Sequence, residues 1–212
     1  FPVLCQPKFD GIRSVSNGKS MWSRKGKPLI HDCVKHLLFD SELILDGELI
    51  LPEEFSFQDS TSAVKKFNEN SPKLMHRVYD LVIPNLPFSK RFELLTELSK
   101  KFPDNVVLAE TVVINSEDEL IEYHSQKVSE GWEGVIVRTF DGHYEIAKRS
   151  SSLLKYKSFD DDEFEVVGVK SGDGKCENMA CLICKTKTGA EFEAFPKGTA
   201  EYRKELWANK ES

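Results

Sequence analysis

The amino-acid sequence predicts an α+β fold in two domains that divide near residue 159. Before this residue, short apolar runs that end at glycine or proline alternate with segments whose apolar residues recur at helical spacing. After it, an acidic run at residues 160–163 leads into short strand-like runs separated by glycines. Many short strands with glycine turns are typical of a small barrel. We therefore expect a larger mixed domain at 1–159 and a smaller β-rich domain at 160–212.

The strands of the first domain are predicted from alternating or β-branched apolar runs that stop at turn residues. The strongest signal is the Asn-Gly pair at 17–18, which lies between the runs 12–16 and 20–23 and indicates a hairpin. Pro52 ends one later run and Pro84 ends another. The predicted strands of this domain are 3–6, 12–16, 20–23, 43–51, 74–83, 106–113 and 134–139.

Helices are predicted in the first domain where apolar residues lie three or four apart. In one of them Phe92 and Leu95 share a face, and Ser89 is the expected N-cap. In another, Ser116 and Glu119 have the spacing of a capping box. The predicted helices of this domain are 32–39, 60–67, 89–102 and 116–130, and the second domain adds strands at 163–170, 179–186 and 190–195 and a helix at 199–209.

The charge distribution is uneven. The chain of 212 residues has a formal net charge of -6, which is unfavourable for contact with the phosphates of a nucleic acid. Residues 19–27 and 148–157 nevertheless each contain four basic side chains and no acidic one. Acidic residues collect elsewhere, as at 117–119 and 160–163. The pattern predicts a protein with one basic and one acidic face, or an ordinary solvated surface.

The composition disfavours several classes of protein. There is no apolar run of about eighteen residues and no charged-then-apolar leader, so neither a membrane span nor a secretion signal is visible. The 5 cysteines are irregularly spaced, which argues against a disulfide framework and favours a reducing, intracellular location. Cys176, Cys181 and Cys184 have a spacing found in iron–sulfur proteins, but no fourth cysteine follows nearby. The 5 histidines lack zinc-ligand spacing.

The segment around Lys8 is the centre of the functional prediction, and residues 8–13 read KFDGIR. In an extended chain Lys8 and Asp10 lie on the same face, because side chains alternate along a strand. Gly11 permits a tight bend and a close approach of a ligand to the backbone. Taken alone, the stretch favours an exposed lysine and aspartate beside a turn.

Four further segments follow in a fixed order: LDGE at 45–48, VYDL at 78–81, EGVIVR at 133–138 and LLKYK at 153–157. Together with KFDGIR, which resembles the signature K-x-D-G-x-R, they resemble the motifs of the covalent nucleotidyltransferases, most of all the small ATP-dependent DNA ligases of phages and bacteria. The resemblance implies an ATP-grasp-like ligase adenylation domain of antiparallel sheets with flanking helices at 1–159. It also implies an OB-fold barrel at 160–212 that is incomplete at its C-terminal end.

The resemblance also implies the roles of individual residues. Lys8 would be the nucleophile that takes AMP from ATP, and the positive charges of Lys155 and Lys157 would favour its neutral amine and stabilise the transition state. Glu48 and Glu133 would hold Mg2+ or Mn2+. The implied cofactor-binding residues are Gln6, Pro7, Lys8, Arg13, Glu48, Tyr79, Lys155 and Lys157. The implied nucleic-acid-binding residues are Arg13, Arg24, Lys148 and Arg149.

The function implied is that of an ATP-dependent DNA ligase, which seals nicks between a 5'-phosphate and a 3'-hydroxyl in duplex DNA. Such a protein is expected to act as an intracellular monomer without a membrane partner. An RNA ligase or an mRNA capping guanylyltransferase of the same superfamily is the alternative within this class. A non-catalytic nucleic-acid-binding module is the alternative from another class, although such a module would lack the lysine or the carboxylates.

Overall fold

The computed structural model describes residues 1–146, 148, 150–157 and 162–210. The chain divides into two compact units, Phe1–Ser158 and Phe159–Ser212. The strands of the first unit are β1 (Val3–Pro7), β2 (Ile12–Ser16), β3 (Met21–Ser23), β4 (Leu45–Ile50), β5 (Met75–Leu81), β6 (Val106–Leu108), β7 (Val112–Ile114), β8 (Val135–Arg138) and β9 (Leu153–Tyr156). Its helices are α1 (His31–Val34), α2 (Phe57–Lys65), α3 (Phe88–Ser99) and α4 (Glu117–Ser129), and its 3-10 turns are Lys35–Leu37 and Ser71–Lys73.

Two sheets organise the first unit. One has five strands in the order β3-β2-β4-β5-β6, antiparallel except for the parallel pair of β5 and β6. The other has four antiparallel strands in the order β7-β1-β8-β9. The main apolar core includes Leu45, Leu49 and Leu95, all fully buried, and thus joins β4 to α3. A smaller core unites Cys5, Ile114, Tyr123 and Val135 from β1, β7, α4 and β8.

The predicted hairpin is confirmed, since β2 and β3 pair antiparallel across the turn at 17–18. The predicted single strand at 106–113 is wrong, because it is two strands in different sheets. β6 pairs with β5, and the N–H of Ala109 still donates to Val78 at 2.8 Å, whereas β7 pairs with β1. Between them Glu110 turns toward Lys127, 2.7 Å away, where the chain leaves one sheet for the other.

The helices occur where they were expected, but their ends differ. α2 begins at Phe57, earlier than predicted, because Ser56 and Asp59 form a capping box. The predicted N-cap at Ser89 is wrong, since Pro87 occupies that position. At α4 the capping hydroxyl of Ser116 is confirmed.

Two further details of the helices correct the sequence prediction. The carboxylate of Glu119 accepts from the backbone N–H of Asn115 at 2.8 Å, one residue before the cap, so the capping box is not reciprocal. The helix predicted at 32–39 is shorter, because α1 ends at Val34 and continues only as the 3-10 turn Lys35–Leu37.

The second unit contains β10 (Glu165–Ser171), β11 (Ala180–Lys185), β12 (Glu191–Ala194), α5 (Ala200–Ala208) and the 3-10 turn Gly174–Cys176. The three strands form an antiparallel sheet, with a register shift in β10 after Val166. Thr199 caps α5 as its hydroxyl accepts from the N–H of Tyr202 at 3.2 Å. Within residues 162–210 the sheet is open and does not close into the small barrel that the glycine-rich texture predicts.

The five cysteine side chains are thiols, and four of them are buried. Cys181 and Cys184 lie in β11, as their strand-like context predicts. In the part of the chain that the structure describes, no helix is long and apolar enough to cross a membrane.

Candidate active site

A cleft of about 650 Å³ in the first unit is lined by residues from both sheets. It brings together residues that are far apart in the sequence and that the motif matches singled out. The predicted site residues that line it are Gln6, Pro7, Lys8, Arg13, Arg24, Glu48, Tyr79, Glu133, Lys148 and Lys155. Lys157 reaches the same place through an ion pair with Glu133. Arg149, the remaining predicted residue, lies outside the described residues.

The ends of β1 and β8 fix the position of Lys8. Lys8 directly follows β1, and its backbone N–H donates to the carbonyl of Gly134 at 2.8 Å. Gly134 has a φ of +145°, and a Cβ there would lie 2.4 Å from the carbonyl oxygen of Tyr156, so only glycine fits. Next to this bond, the rings of Phe9 and Trp132 meet edge to face with centroids 5.1 Å apart. The segments that carry Lys8 and Glu133 are therefore held side by side.

Glu133 lies between two lysines. One of its oxygens forms an ion pair with the ammonium of Lys8, and the other lies 3.1 Å from Nζ of Lys157. The hydrogen bond from Lys8, followed by the one from Lys157, lowers the pKa of Glu133 below its ordinary value. Glu133 is therefore ionised at neutral pH, and the cluster carries two cations and one carboxylate.

Glu48 is the second predicted metal ligand, and its environment is different. It lies on β4 directly opposite Arg13 of β2. Burial, and then the charge of Asp46, raise the pKa of Glu48 to about 7, against the opposing effect of Arg13 and Lys8. The two carboxylates of the predicted metal site thus have pKa values shifted in opposite directions.

Carboxylate oxygens are ligands that suit Mg2+, which commonly takes one or two of them together with phosphate oxygens and water. Glu48 and Glu133 line one cleft and fit that requirement. Among the described residues there is no group of three or more His, Cys, Asp or Glu side chains arranged to hold a metal ion by themselves.

Sequence reasoning missed a triangle of polar side chains in the cleft. Arg13 donates to both oxygens of Asp46, with Nε at 2.9 Å and Nη2 at 2.7 Å. The hydroxyl of Tyr144 donates to Asp46 at 2.7 Å and accepts from Arg13 at 3.1 Å. Asp46 belongs to the LDGE segment and could have been suspected, whereas Tyr144 carries no local signal in the sequence.

A second missed network lies at the base of the cleft around Asp80. Its carboxylate accepts from Arg91 at 2.7 and 3.0 Å and from Arg138 at 2.8 Å. All three side chains are almost fully buried. Arg91 lies on α3 in the segment RFELL at 91–95, which resembles the DNA ligases, but no role in the site was predicted for it. Asp80 and Arg138 lie within the VYDL and EGVIVR segments, which were the available signal.

Gln6 and Tyr79 both border this network. The amide of Gln6 donates to the carbonyl of Tyr79 at 3.1 Å and to Thr111 at 2.9 Å, and it accepts from Arg138 at 2.8 Å. Its amide is thus engaged by three protein groups. The ring of Tyr79 lies 5.6 Å from the guanidinium carbon of Arg138, and burial raises the pKa of its hydroxyl. The ring therefore has a fixed position in the cleft.

Sequence similarity to known proteins covers most of the chain. The family model described as ATP dependent DNA ligase domain matches residues 1–157. The DNA ligase of Haemophilus influenzae is 30% identical over 193 residues, which cover 88% of this chain and 69% of that ligase. A DNA ligase of African swine fever virus is 29% identical over 218 residues, covering 92% of this chain and 51% of the viral protein. The chain thus spans about half to two thirds of the length of these relatives.

Solved structures agree with the sequence comparison. A Lig E DNA ligase superposes with a TM-score of 0.82 at 23% identity, covering 96% of this chain and 81% of that one, which shows the same fold. The Chlorella virus DNA ligase-adenylate has a TM-score of 0.63 at 29% identity and covers 100% of this chain and 82% of that one. The resemblance predicted from the five segments is confirmed, and the chain belongs to the ATP-dependent DNA ligase family.

Proposed function

We propose that this chain joins DNA strands through a covalent lysine–AMP intermediate in which Lys8 is the nucleophile. The observation that supports this most strongly is the clustering of Lys8, Glu133 and Lys157, with Lys155 lining the same cleft. A nucleophilic amine surrounded by further cations is the arrangement that attack on a polyphosphate requires.

In the first step the neutral amine of Lys8 attacks the α-phosphorus of ATP. The nitrogen–phosphorus bond forms as the bond to pyrophosphate breaks. Lys8 must first leave its ion pair and lose a proton, and we assign that proton to water because the lowered pKa of Glu133 makes it a weak base. Lys155 and Lys157 then offset the negative charge that develops on the phosphate.

In the second and third steps AMP moves from Lys8 to the 5'-phosphate of a nick, and the adjacent 3'-hydroxyl attacks that phosphate while AMP leaves. Each step exchanges one bond at phosphorus for another, so no further reactant is needed. Arg13, Arg24 and Lys148 provide cations for backbone phosphates, and by resemblance Arg149 does the same. Such contacts do not read bases, as suits an enzyme that joins any sequence.

The proposed cofactors are ATP and Mg2+, or Mn2+ in its place. Glu48 and Glu133 would hold the metal, and Tyr79, with Gln6 and Pro7 beside it, would border the nucleotide base. When bound, the cation would neutralise phosphate charge and orient the leaving group. Glu133 would then exchange one or both of its lysine partners for the metal.

We further assign residues 1–159 as the adenylation domain and 160–212 as part of an OB-fold domain. The family match over residues 1–157 supports the first assignment, and the antiparallel sheet of β10, β11 and β12 supports the second. The protein is proposed to act as an intracellular monomer on nicked duplex DNA, without a membrane partner.

Intact-mass measurement after exposure to ATP and Mg2+ tests the nucleophile. The wild-type chain should gain the mass of one AMP, and a Lys8→Ala variant should gain none because it lacks the proposed acceptor amine. The free energy of unfolding should fall by less than about 1 kcal/mol, since Lys8 contributes one partly exposed ion pair. A Lys90→Ala variant, which alters an exposed lysine of α3, is the matched control. An adduct on Lys8→Ala would disprove the assignment.

Substrate choice is tested separately. Label should pass from ATP and not from GTP, which distinguishes a ligase from a capping guanylyltransferase. Nicked duplex DNA that already carries the 5'-adenylate should be sealed faster than the corresponding RNA nick. Transfer from GTP alone, or sealing of the RNA nick alone, would overturn the choice of DNA ligase while leaving Lys8 as the nucleophile.

A further inference from the structure

Tyr144 connects two parts of the cleft that are distant in the sequence. It lies in the segment between β8 and β9, while its hydrogen-bond partners Asp46 and Arg13 belong to β4 and β2. The hydroxyl donates to Oδ2 of Asp46 at 2.7 Å and accepts from Nη2 of Arg13 at 3.1 Å. One hydroxyl thus joins both members of an ion pair to the opposite wall of the cleft.

The bonds of Arg13 account for part of its guanidinium. Nε and Nη2 donate to Asp46, and Nη2 also donates to Tyr144. Nη1 is the nitrogen that these three bonds leave unused. The Arg13 side chain is 41% exposed and lines the cleft, whereas the side chain of Asp46 is only 2% exposed. Within the described residues, a buried carboxylate and a hydroxyl therefore hold one edge of the guanidinium and leave the other available.

We propose that Tyr144 is a positioning residue, whose hydroxyl orients the Arg13–Asp46 pair so that Nη1 of Arg13 meets an anionic phosphate oxygen of the substrate. This inference rests on the proposed function, because the phosphate belongs either to ATP or to the 5' end of a nick. A planar guanidinium held in one orientation binds phosphate better than a mobile one, since less rotational freedom is lost on binding.

Tyr144 is itself held in place by its neighbours. The carbonyl of Gly142, two residues earlier, accepts from Arg91 at 3.0 Å and from the N–H of Phe88 at 2.9 Å. The guanidinium carbon of Arg91 lies 5.6 Å from the Tyr144 ring. Burial, and then the charge of Asp46, raise the pKa of Tyr144 far above neutrality, so the hydroxyl keeps the proton that it donates. The position of the hydroxyl is therefore fixed before any substrate arrives.

The simpler interpretation is that Tyr144 only packs in the cleft wall. Tyr144→Phe distinguishes the two, because it removes the hydroxyl and keeps the ring. A packing role predicts a change in stability that is independent of Arg13. A positioning role predicts that the loss in phosphate binding disappears once Arg13 has been replaced, so that the two substitutions are not additive.

The experiment compares wild type, Tyr144→Phe, Arg13→Gln and the double variant in two assays. The first measures the ATP concentration that gives half the maximal rate of Lys8–AMP formation. The second measures the dissociation constant for nicked duplex DNA with a 5'-phosphate and with a 5'-hydroxyl. We expect Tyr144→Phe to raise either the half-maximal ATP concentration or the dissociation constant for the phosphorylated nick by about fivefold, with little change in the limiting rate. When Arg13 is already replaced by Gln, Tyr144→Phe should cause no further change. The affected assay identifies the source of the phosphate.

Tyr202→Phe is the matched control, since Tyr202 is an exposed tyrosine of α5 in the second unit. It should match wild type in both assays. The inference is overturned if Tyr144→Phe equals wild type in both assays. It is also overturned if the loss of affinity caused by Tyr144→Phe adds fully to the loss caused by Arg13→Gln. A wild-type chain that forms no Lys8–AMP and does not prefer the phosphorylated nick overturns the proposed function, and this inference with it.

Discussion

At the scale of single residues, the cleft places similar groups in different electrostatic environments. Glu133 faces two ammonium groups and its pKa is lowered, while Glu48 lies in a more buried position beside Asp46 and its pKa is raised to about 7. Both were predicted to hold a metal on the same ground, the resemblance of their segments to the ligase motifs. Only the surroundings distinguish an acid that is ionised from one that is partly protonated near neutrality.

The raised pKa of Glu48 predicts a pH dependence of stability. The folded state favours the neutral acid, so the stabilising contribution is complete below the ordinary value of 4.5 and is lost as the pH rises through about 7. Relative to Glu48→Gln, wild type should therefore lose about 2 kcal/mol of unfolding free energy between these pH values. Urea unfolding at a series of pH values measures this loss of unfolding free energy.

The control for this measurement is Glu97→Gln on α3, since the side chain of Glu97 is 72% exposed. Its stability should follow that of wild type across the same range. If the curves of wild type and Glu48→Gln run parallel from pH 4.5 to 7, the raised pKa of Glu48 is refuted.

At the scale of elements, the pairing of β8 with β9 brings together the charged side chains around Glu133. Ile136 lies opposite Lys155, and Val135 lies opposite Tyr156. The strand register therefore sets how far Glu133 is from the lysines at positions 155 and 157. Gly134 permits this register because its position leaves no room for a side chain. The chemistry of the site therefore depends on a close approach of two backbones.

Replacing Gly134 by Ala should disrupt this pairing. The added Cβ would lie 2.4 Å from the carbonyl oxygen of Tyr156, and residue 134 has a φ of +145°, so the backbone must move. We expect a loss of roughly 2 to 4 kcal/mol in unfolding free energy and the loss of lysine–AMP formation. Thermal unfolding and intact mass measure the two effects.

Gly131→Ala is the matched comparison, because Gly131 also has a positive φ, +90°, but a Cβ there meets nothing within 4 Å. It should cost only about 1 kcal/mol and preserve the adduct. Equal losses in the two variants would show that backbone conformation, and not the approach of β9, sets the requirement at Gly134.

At the scale of the whole molecule, a chain with a net charge of -6 has cationic side chains gathered in one cleft. Arg24 and Lys148 are exposed and line that cleft, while the acidic residues Glu117, Asp118 and Glu119 lie at the start of α4. Acidic side chains line the same cleft in nearly equal number, namely Asp10, Asp46, Glu48, Asp80, Glu133 and Glu145, so the division into one basic and one acidic face stays a prediction. Exposed cations such as Arg24 and Lys148 can still attract DNA phosphates when the total charge is unfavourable.

Salt dependence tests whether this cleft contacts DNA. The logarithm of the affinity for nicked duplex should fall linearly with the logarithm of the salt concentration, and Arg24→Ala should reduce the slope by about 1 because one phosphate contact is lost. Lys90→Ala, whose lysine pairs with Glu93 on α3, should leave the slope unchanged. Fluorescence anisotropy at several salt concentrations measures the slope for each variant. An unchanged slope for Arg24→Ala would remove Arg24 from the DNA contacts.

The fold class, most of the elements and the residues expected around Lys8 could all be predicted from the order of the amino acids. The elements were predictable because turn residues and apolar spacing are local signals. The site residues were predictable only through the resemblance of the five segments to the motifs of the ligase family. The hairpin at 17–18 and the cap at Ser116 are local in the same sense, since their partners lie within a few residues. Ser89 shows the limit of such local prediction, because Pro87 and a neighbouring segment of the same chain decide where α3 begins.

The distant side chains that support the site become visible only once the chain is folded. Tyr144 and Asp46 are 98 residues apart, and Arg138 and Gln6 are 132 apart, so their contacts depend on the order of strands in two sheets. The same order divides the run at 106–113 between those sheets. Apolar spacing tells which face of an element is buried, but it does not specify which element covers that face. For this reason the sequence allowed Lys8 to be predicted as the nucleophile, whereas the groups that hold its surroundings in place could not be predicted.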